Sequence, residues 1–161
     1  MTAALQGWHP GETKLQRILG FADAVSDRWQ YVENCMREQH RIFFTSNLPF
    51  ISITTLDDDG RPWASIAAGA TGEIGFAKSP DTRTLIMHVR LWEGEPLLNT
   101  TKRWVEVQNG AIATPERFLT AGIGIEFSTR RRNKFAGLIK SVKIRKEWDY
   151  ELTFQVTQAL G

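Results

Sequence analysis

One cysteine, Cys35, among 161 residues excludes an internal disulfide framework and any cysteine-based zinc cage within one chain. Such usage suits a reducing compartment. No run approaches the roughly 18 apolar residues of a membrane-spanning helix, and the first eleven residues lack the basic stretch and apolar stretch of a secretory leader. These absences point to a cytoplasmic protein. The charge excess is small, 20 Lys and Arg against 18 Asp and Glu, so a nucleic-acid partner would require clustering rather than net charge. The three histidines, His9, His40 and His88, have no metal-ligand spacing and read as structural. There is no Ser-His-Asp ordering, Walker loop or GxGxxG fingerprint, and Gly72-Glu73-Ile74-Gly75 is too short and wrongly placed for a dinucleotide fold. Hydrolase and Rossmann chemistries therefore drop out.

What remains is an ordinary globular composition, 42% hydrophobic and 24% charged, with a length that suits one domain. The first 48 residues read as helical. Leu15, Ile18 and Leu19 share one face of a short helix after the turn His9-Pro10-Gly11-Glu12, and Val25, Trp29, Val32 and Met36 recur at helical spacing before a second helical stretch to Phe44. From residue 49 the pattern becomes β. Phe50–Leu56 and Arg61–Ala68 flank the turn Asp57-Asp58-Asp59-Gly60 as a hairpin. Thr84–Val89 follows the loop Lys78–Asp81, and residues 91–119 read as an irregular insertion with about one helical turn. Ile123, Ile125 and Phe127 alternate with polar or small residues, as do Leu152, Phe154 and Val156, and Lys134–Ile144 reads as a bulged strand around Gly137. The expectation is a mainly β protein with N-terminal helices: six antiparallel strands closed as a barrel. The apolar ending Ala159-Leu160-Gly161 suggests a piece of a longer polypeptide.

Two stretches carry candidate chemistry. Ser128-Thr129-Arg130-Arg131-Arg132-Asn133-Lys134 places four cations at a strand junction, which suits either an anion site or a solvated turn. On a strand, Arg130 and Arg132 would face one way and Arg131 and Asn133 the other. The second is the strand after Gly60. Small residues at Ala64, Ala67, Ala68 and Gly69 would let a flat ring approach the backbone, or would pack beneath a helix. Trp63 adjoins these positions and is the one of six tryptophans placed to stack on a ligand.

Trp8-His9-Pro10-Gly11-Glu12, Asp59-Gly60-Arg61-Pro62-Trp63-Ala64-Ser65, Ile74-Gly75-Phe76, and Ser128–Asn133 with Gly137 together resemble the pyridoxamine 5′-phosphate oxidase-like FMN-binding proteins. The resemblance covers most of the chain from Trp8. It is strongest to an uncharacterised branch found alone or as the N-terminal module of larger oxidoreductases. It implies a Greek-key split barrel of six strands, a homodimer with FMN at the interface, and a reductase domain or nicotinamide as electron donor. Carried over by position, it implies cofactor contacts at Ser65, Ile66, Ala67 and Ala68 and donors at Arg132 and Asn133. Ser65 stands where the authentic oxidase has an arginine, which leaves Arg61 and Arg130, Arg131 and Arg132 as phosphate ligands. There is no match to that enzyme's substrate-binding segment. The implied function is an FMN-dependent oxidoreductase; the rivals are a non-catalytic flavin-binding or dimerisation module and a single-strand nucleic-acid-binding barrel.

Overall fold

The computed structural model describes residues 2–110 and 118–161. Its elements are α1 (Pro10–Ile18), α2 (Glu38–Ser46), β1 (Phe50–Leu56), β2 (Pro62–Ala68), β3 (Ala77–Asp81), β4 (Thr84–Arg90), α3 (Pro96–Gln108), β5 (Leu119–Glu126), β6 (Arg131–Lys146) and β7 (Asp149–Leu160). The seven strands form one antiparallel sheet in the order β2-β1-β5-β6-β7-β4-β3. β4 lies beside β7 although a long connection separates it from the β5-β6-β7 meander, which is the Greek-key arrangement.

The expected six strands become seven, and the hydrogen-bonded ladder does not close. The added strand is β3, where Lys78–Asp81 had read as a loop. Its Pro80 cannot donate to a ladder, and the strand tolerates it because β3 is an edge. α2 covers that edge: the Arg41 guanidinium donates to Ser79 Oγ at 3.2 Å and to the Ser79 carbonyl at 2.6 Å. The expected helix through Val25 and Trp29 is instead two 3-10 turns, Asp23–Val25 and Arg28–Tyr31, before α2.

α3 corrects the expectation of an irregular insertion over 91–119. Its inner face carries Leu97 and Leu98 but also Thr100 and Thr101, all buried, so the apolar periodicity is interrupted. The threonines are tolerated because their hydroxyls donate to the carbonyls of Pro96 and Leu97, and the Thr100 and Thr55 hydroxyls share a further hydrogen bond.

The core lies between the sheet's inner face and the helices. Ile51 and Ile53 of β1, Leu85, Met87 and Val89 of β4, and Leu152, Phe154 and Val156 of β7 meet Phe43, Phe44 and Leu48 from α2 and its exit. β5 alternates as its sequence implies, with the small residues rather than the isoleucines turned to the core. Thr120, Gly122 and Gly124 face inward, while Ile123 and Ile125 lie half-buried on the outer face and Phe127 is exposed. Space decides this: a Cβ on Gly122 would sit 2.3 Å from Phe135, and one on Gly124 2.3 Å from Leu48. The rings and leucine that fill the core occupy the volume that side chains of β5 would need.

β6 is bulged, as its sequence implies, with register shifts at Ala136/Gly137 and two further points. A Cβ at Gly137 would lie 1.9 Å from the Gln155 carbonyl oxygen on β7. Because backbone, not a flexible side chain, is in the way, Gly137→Ala is expected to cost about 3 kcal/mol or more in chemical denaturation. A loss below about 1 kcal/mol would show that the two strands can part there.

Candidate functional site

Two concavities flank the hairpin of β1 and β2. The first is a groove of about 410 Å³ on the outer face of the sheet, lined by Ser52, Thr54, Ala121, Ile123, Lys134, Ala136, Gln158 and Leu160 among others. Strand register explains its floor. One row across the sheet runs Ala64, Thr54, Ala121, Ala136, Gln158, and the next runs Ile66, Ser52, Ile123, Lys134, Leu160. Ala121 and Ala136 floor a shallow trough; Ile123 makes it apolar, Ser52 and Thr54 supply hydroxyls, and Lys134 supplies positive charge at the β6 side, while Ala64, Ile66 and Arg132 share the outer face beyond its lining. From β2 to β6 is three strand spacings, about 14 Å.

The second concavity is a larger cleft, about 850 Å³, between the β1–β2 turn and α3. The turn that forms one wall is tightly organised. Asp57 accepts from the backbone N–H of Arg61 at 2.9 Å and of Asp59 at 3.0 Å, from Arg61 Nε at 2.8 Å and from the Trp63 indole at 2.9 Å. The backbone donor of Arg61, then the indole of Trp63, hold the Asp57 carboxyl well below the usual carboxylate range. Arg61 also pairs with Asp59, and Arg103 of α3 pairs with Asp58.

The ten residues implied by sequence do not converge on one point. Ile66 and Ala68 lie on the outer side of β2, outside the groove's lining, which contains none of the ten. Ser65 and Ala67 point inward and are buried. Ser65 Oγ accepts from the Leu97 N–H at 3.1 Å, so a serine on the sheet satisfies an otherwise orphaned donor in the first turn of α3. Arg61 and Trp63 belong to the cleft, not to the groove. The basic run divides. Arg130 sits in the turn with φ of 60°, and β6 starts at Arg131. Arg132 faces out. Arg131 lies over the Phe43 ring, 5.0 Å from its centroid, and Asn133 is 1% exposed beside Gly161 and His40.

Lys134 and the hydroxyls of Ser52 and Thr54 are functional candidates outside that set of ten. Lys134 was visible at the end of the basic run, but its membership of the groove depends on the register with Ile123 and Leu160, which no local pattern reveals. The histidines are structural in the positions they take. His9 completes a capping box with Glu12 at the start of α1, which explains the His-Pro-Gly-Glu motif. His40 is buried with its basicity lowered by that burial, and His88 lies 3.3 Å from Glu151. No metal-ligating cluster occurs among the described residues, and none of their helices is long and apolar enough to cross a membrane.

Among solved structures the chain is similar to a candidate pyridoxamine 5′-phosphate oxidase from Lactobacillus delbrueckii, at 14% identity over 80% of this chain and 95% of that one, with TM-score 0.52. It is also similar to an F420 reductase (12% identity, 77% and 98% covered, TM-score 0.47) and to an FMN-binding protein from Syntrophomonas wolfei (9%, 91% and 95%, 0.47). No family model matches the chain, and no curated protein matches closely enough to count as a relative. The first of these likenesses bears on the fold alone: a mainly antiparallel β sheet with helices, consistent with a split barrel.

Asp57 yields a pH prediction. Its carboxyl titrates lower in the folded protein than in the unfolded chain, so its contribution to stability is complete above about pH 4 and is lost as pH falls below that value. Asp57→Asn is expected to flatten the acid limb of the stability profile and to loosen Trp63. Unchanged acid sensitivity in denaturant melts from pH 6 to pH 2 would contradict this.

Proposed function

We propose that the chain is an FMN-binding flavoprotein module, with the flavin ring on the outer face of β2 and β1 and the phosphate at Lys134 and Arg132. The observation that carries this reading is the groove itself: a shallow, alanine-floored, largely apolar trough across β1, β5, β6 and β7 that holds one cation, Lys134. A flat apolar ring with a hydroxylated chain and an anionic end matches that order of surfaces, and Ser52 and Thr54 lie where the chain would cross. Small side chains at Ala64 and Ala68 leave the β2 backbone open to the ring. Ser65 and Asn133 serve the fold rather than the ligand, and the phosphate falls to β6 because β2 has no outward cation.

Bound flavin supplies hydride or electron transfer; the protein's residues bind and orient it. Lys134 and Arg132 neutralise the phosphate, the isoleucines exclude water from one side of the ring, and a second copy of the chain covers the other. Exposed Ile66 and Phe127 and half-buried Ile123 and Ile125 form the apolar surface such a homodimer would bury. Nicotinamide or a fused reductase domain would be the electron source.

Purified protein given FMN and desalted should retain flavin absorbance near about 370 and 450 nm. Lys134→Gln should weaken FMN about tenfold, one lost charge-assisted phosphate contact, while leaving riboflavin binding unchanged. A colourless folded protein that binds neither flavin would refute the reading. Equal loss for riboflavin and FMN would place the phosphate elsewhere.

A further inference from the structure

The larger cleft is not needed for the flavin, and it has the make-up of a site. Trp63 is 50% exposed there, yet its indole is pinned by the hydrogen bond to Asp57, which the turn and Arg61 fix in place in their turn. An aromatic face held rigid before any ligand arrives loses little side-chain freedom on stacking. The opposite wall is one face of α3, where Asn99, Lys102, Arg103 and Glu106 recur at the three- and four-residue spacing of neighbours on a helix. Arg103 ties this wall to the turn through Asp58, and the Thr100–Thr55 hydrogen bond at 3.1 Å ties it to β1. Both walls are therefore tethered around an open space of about 850 Å³.

The polar groups left over select the ligand. Arg61 is occupied by Asp57 and Asp59, and Arg103 by Asp58. Lys102 has no carboxylate partner and Glu106, one turn further along the same face, no cationic partner among the described residues, and the Asn99 side chain is likewise uncommitted, offering a donor and an acceptor. We propose that this cleft is a second ligand site, separate from the groove, for a flat heteroaromatic ring that bears an acid group. The ring stacks on Trp63, its heteroatom meets Asn99, and its carboxylate pairs with Lys102. Trp63 lies on the inner side of β2, so the strand itself separates this ligand from the outer groove. The inference stands whether or not the groove takes FMN.

The test is equilibrium binding of pyridine-3-carboxylate to the intact chain by calorimetry. Cyclohexanecarboxylate serves as the non-planar anion and pyridine-3-carboxamide as the uncharged ring. The planar acid should bind best, about tenfold more tightly than either control. Trp63→Leu and Lys102→Gln should each weaken it about tenfold, and Trp63→Phe, which keeps an aromatic face, should recover most of the loss. Both positions are exposed, so the variants should fold, as circular dichroism can verify. Saturating FMN should leave the affinity unchanged. Absence of binding, indifference to both substitutions, equal binding of the non-planar acid, or displacement by FMN would each overturn the proposal.

Discussion

The structure depends on what β5 leaves out. Gly122 and Gly124 have no side chains to offer the core, and Phe43, Phe44, Phe135 and Leu48 occupy the space where those side chains would be. Large residues from α2 and β6 thus fill the core from one side, and β5 lies against them with its isoleucines turned outward. Register then carries this choice across the sheet. With Ile123 outside, Ser52 and Lys134 are outside with it, Ile66 and Leu160 follow, and the alanine row falls beside them. Had β5 taken the other phase, the outer surface would be small and featureless there. The groove is a consequence of core packing.

The same economy appears where polar residues sit inside. Ser65 satisfies α3, Thr100 and Thr101 satisfy carbonyls within it, and Glu151 is held by Lys143, Arg145 and His88, the first two lowering its pKa to about 2. Each of these polar groups has a structural partner close by, and uncommitted polar groups remain at the surface, at Lys134 and Arg132 on one side of the hairpin and at Lys102 and Asn99 on the other. The buried exceptions are His40 Nδ1 and Asn133 Nδ2, beside Gly161, together with Arg90 Nε and Glu95 Oε2, all without hydrogen-bond partners among the described residues.

Elements with strong local chemistry were legible from sequence. β1, β2, β4 and β7 announced themselves through β-branched runs and the Asp-Gly turn, and the bulge at Gly137 through a glycine in an apolar strand. Three features were not, each for a physical reason. α3 hid because buried threonines broke its periodicity. β3 hid because a proline that disqualifies a central strand is harmless at an edge. The inward face of β5 stayed open because alternation alone does not say which half is inside, and glycine rather than isoleucine had the better fit against large neighbours. The site followed the same rule. The strand beside the small residues was evident, but which residues face outward, and that Lys134 joins them, emerges only from pairing across four strands.

The central claim is that FMN occupies the outer groove between β2 and β6, and amide chemical-shift mapping during an FMN titration tests it most directly. The account predicts shifts at Thr54, Ala64, Ile66, Ala121, Ile123 and Lys134, in a band across the sheet's outer face. Shifts centred on Trp63, Asn99 and Lys102, with Ile123 and Lys134 unmoved, would contradict it and give the cleft to the flavin instead.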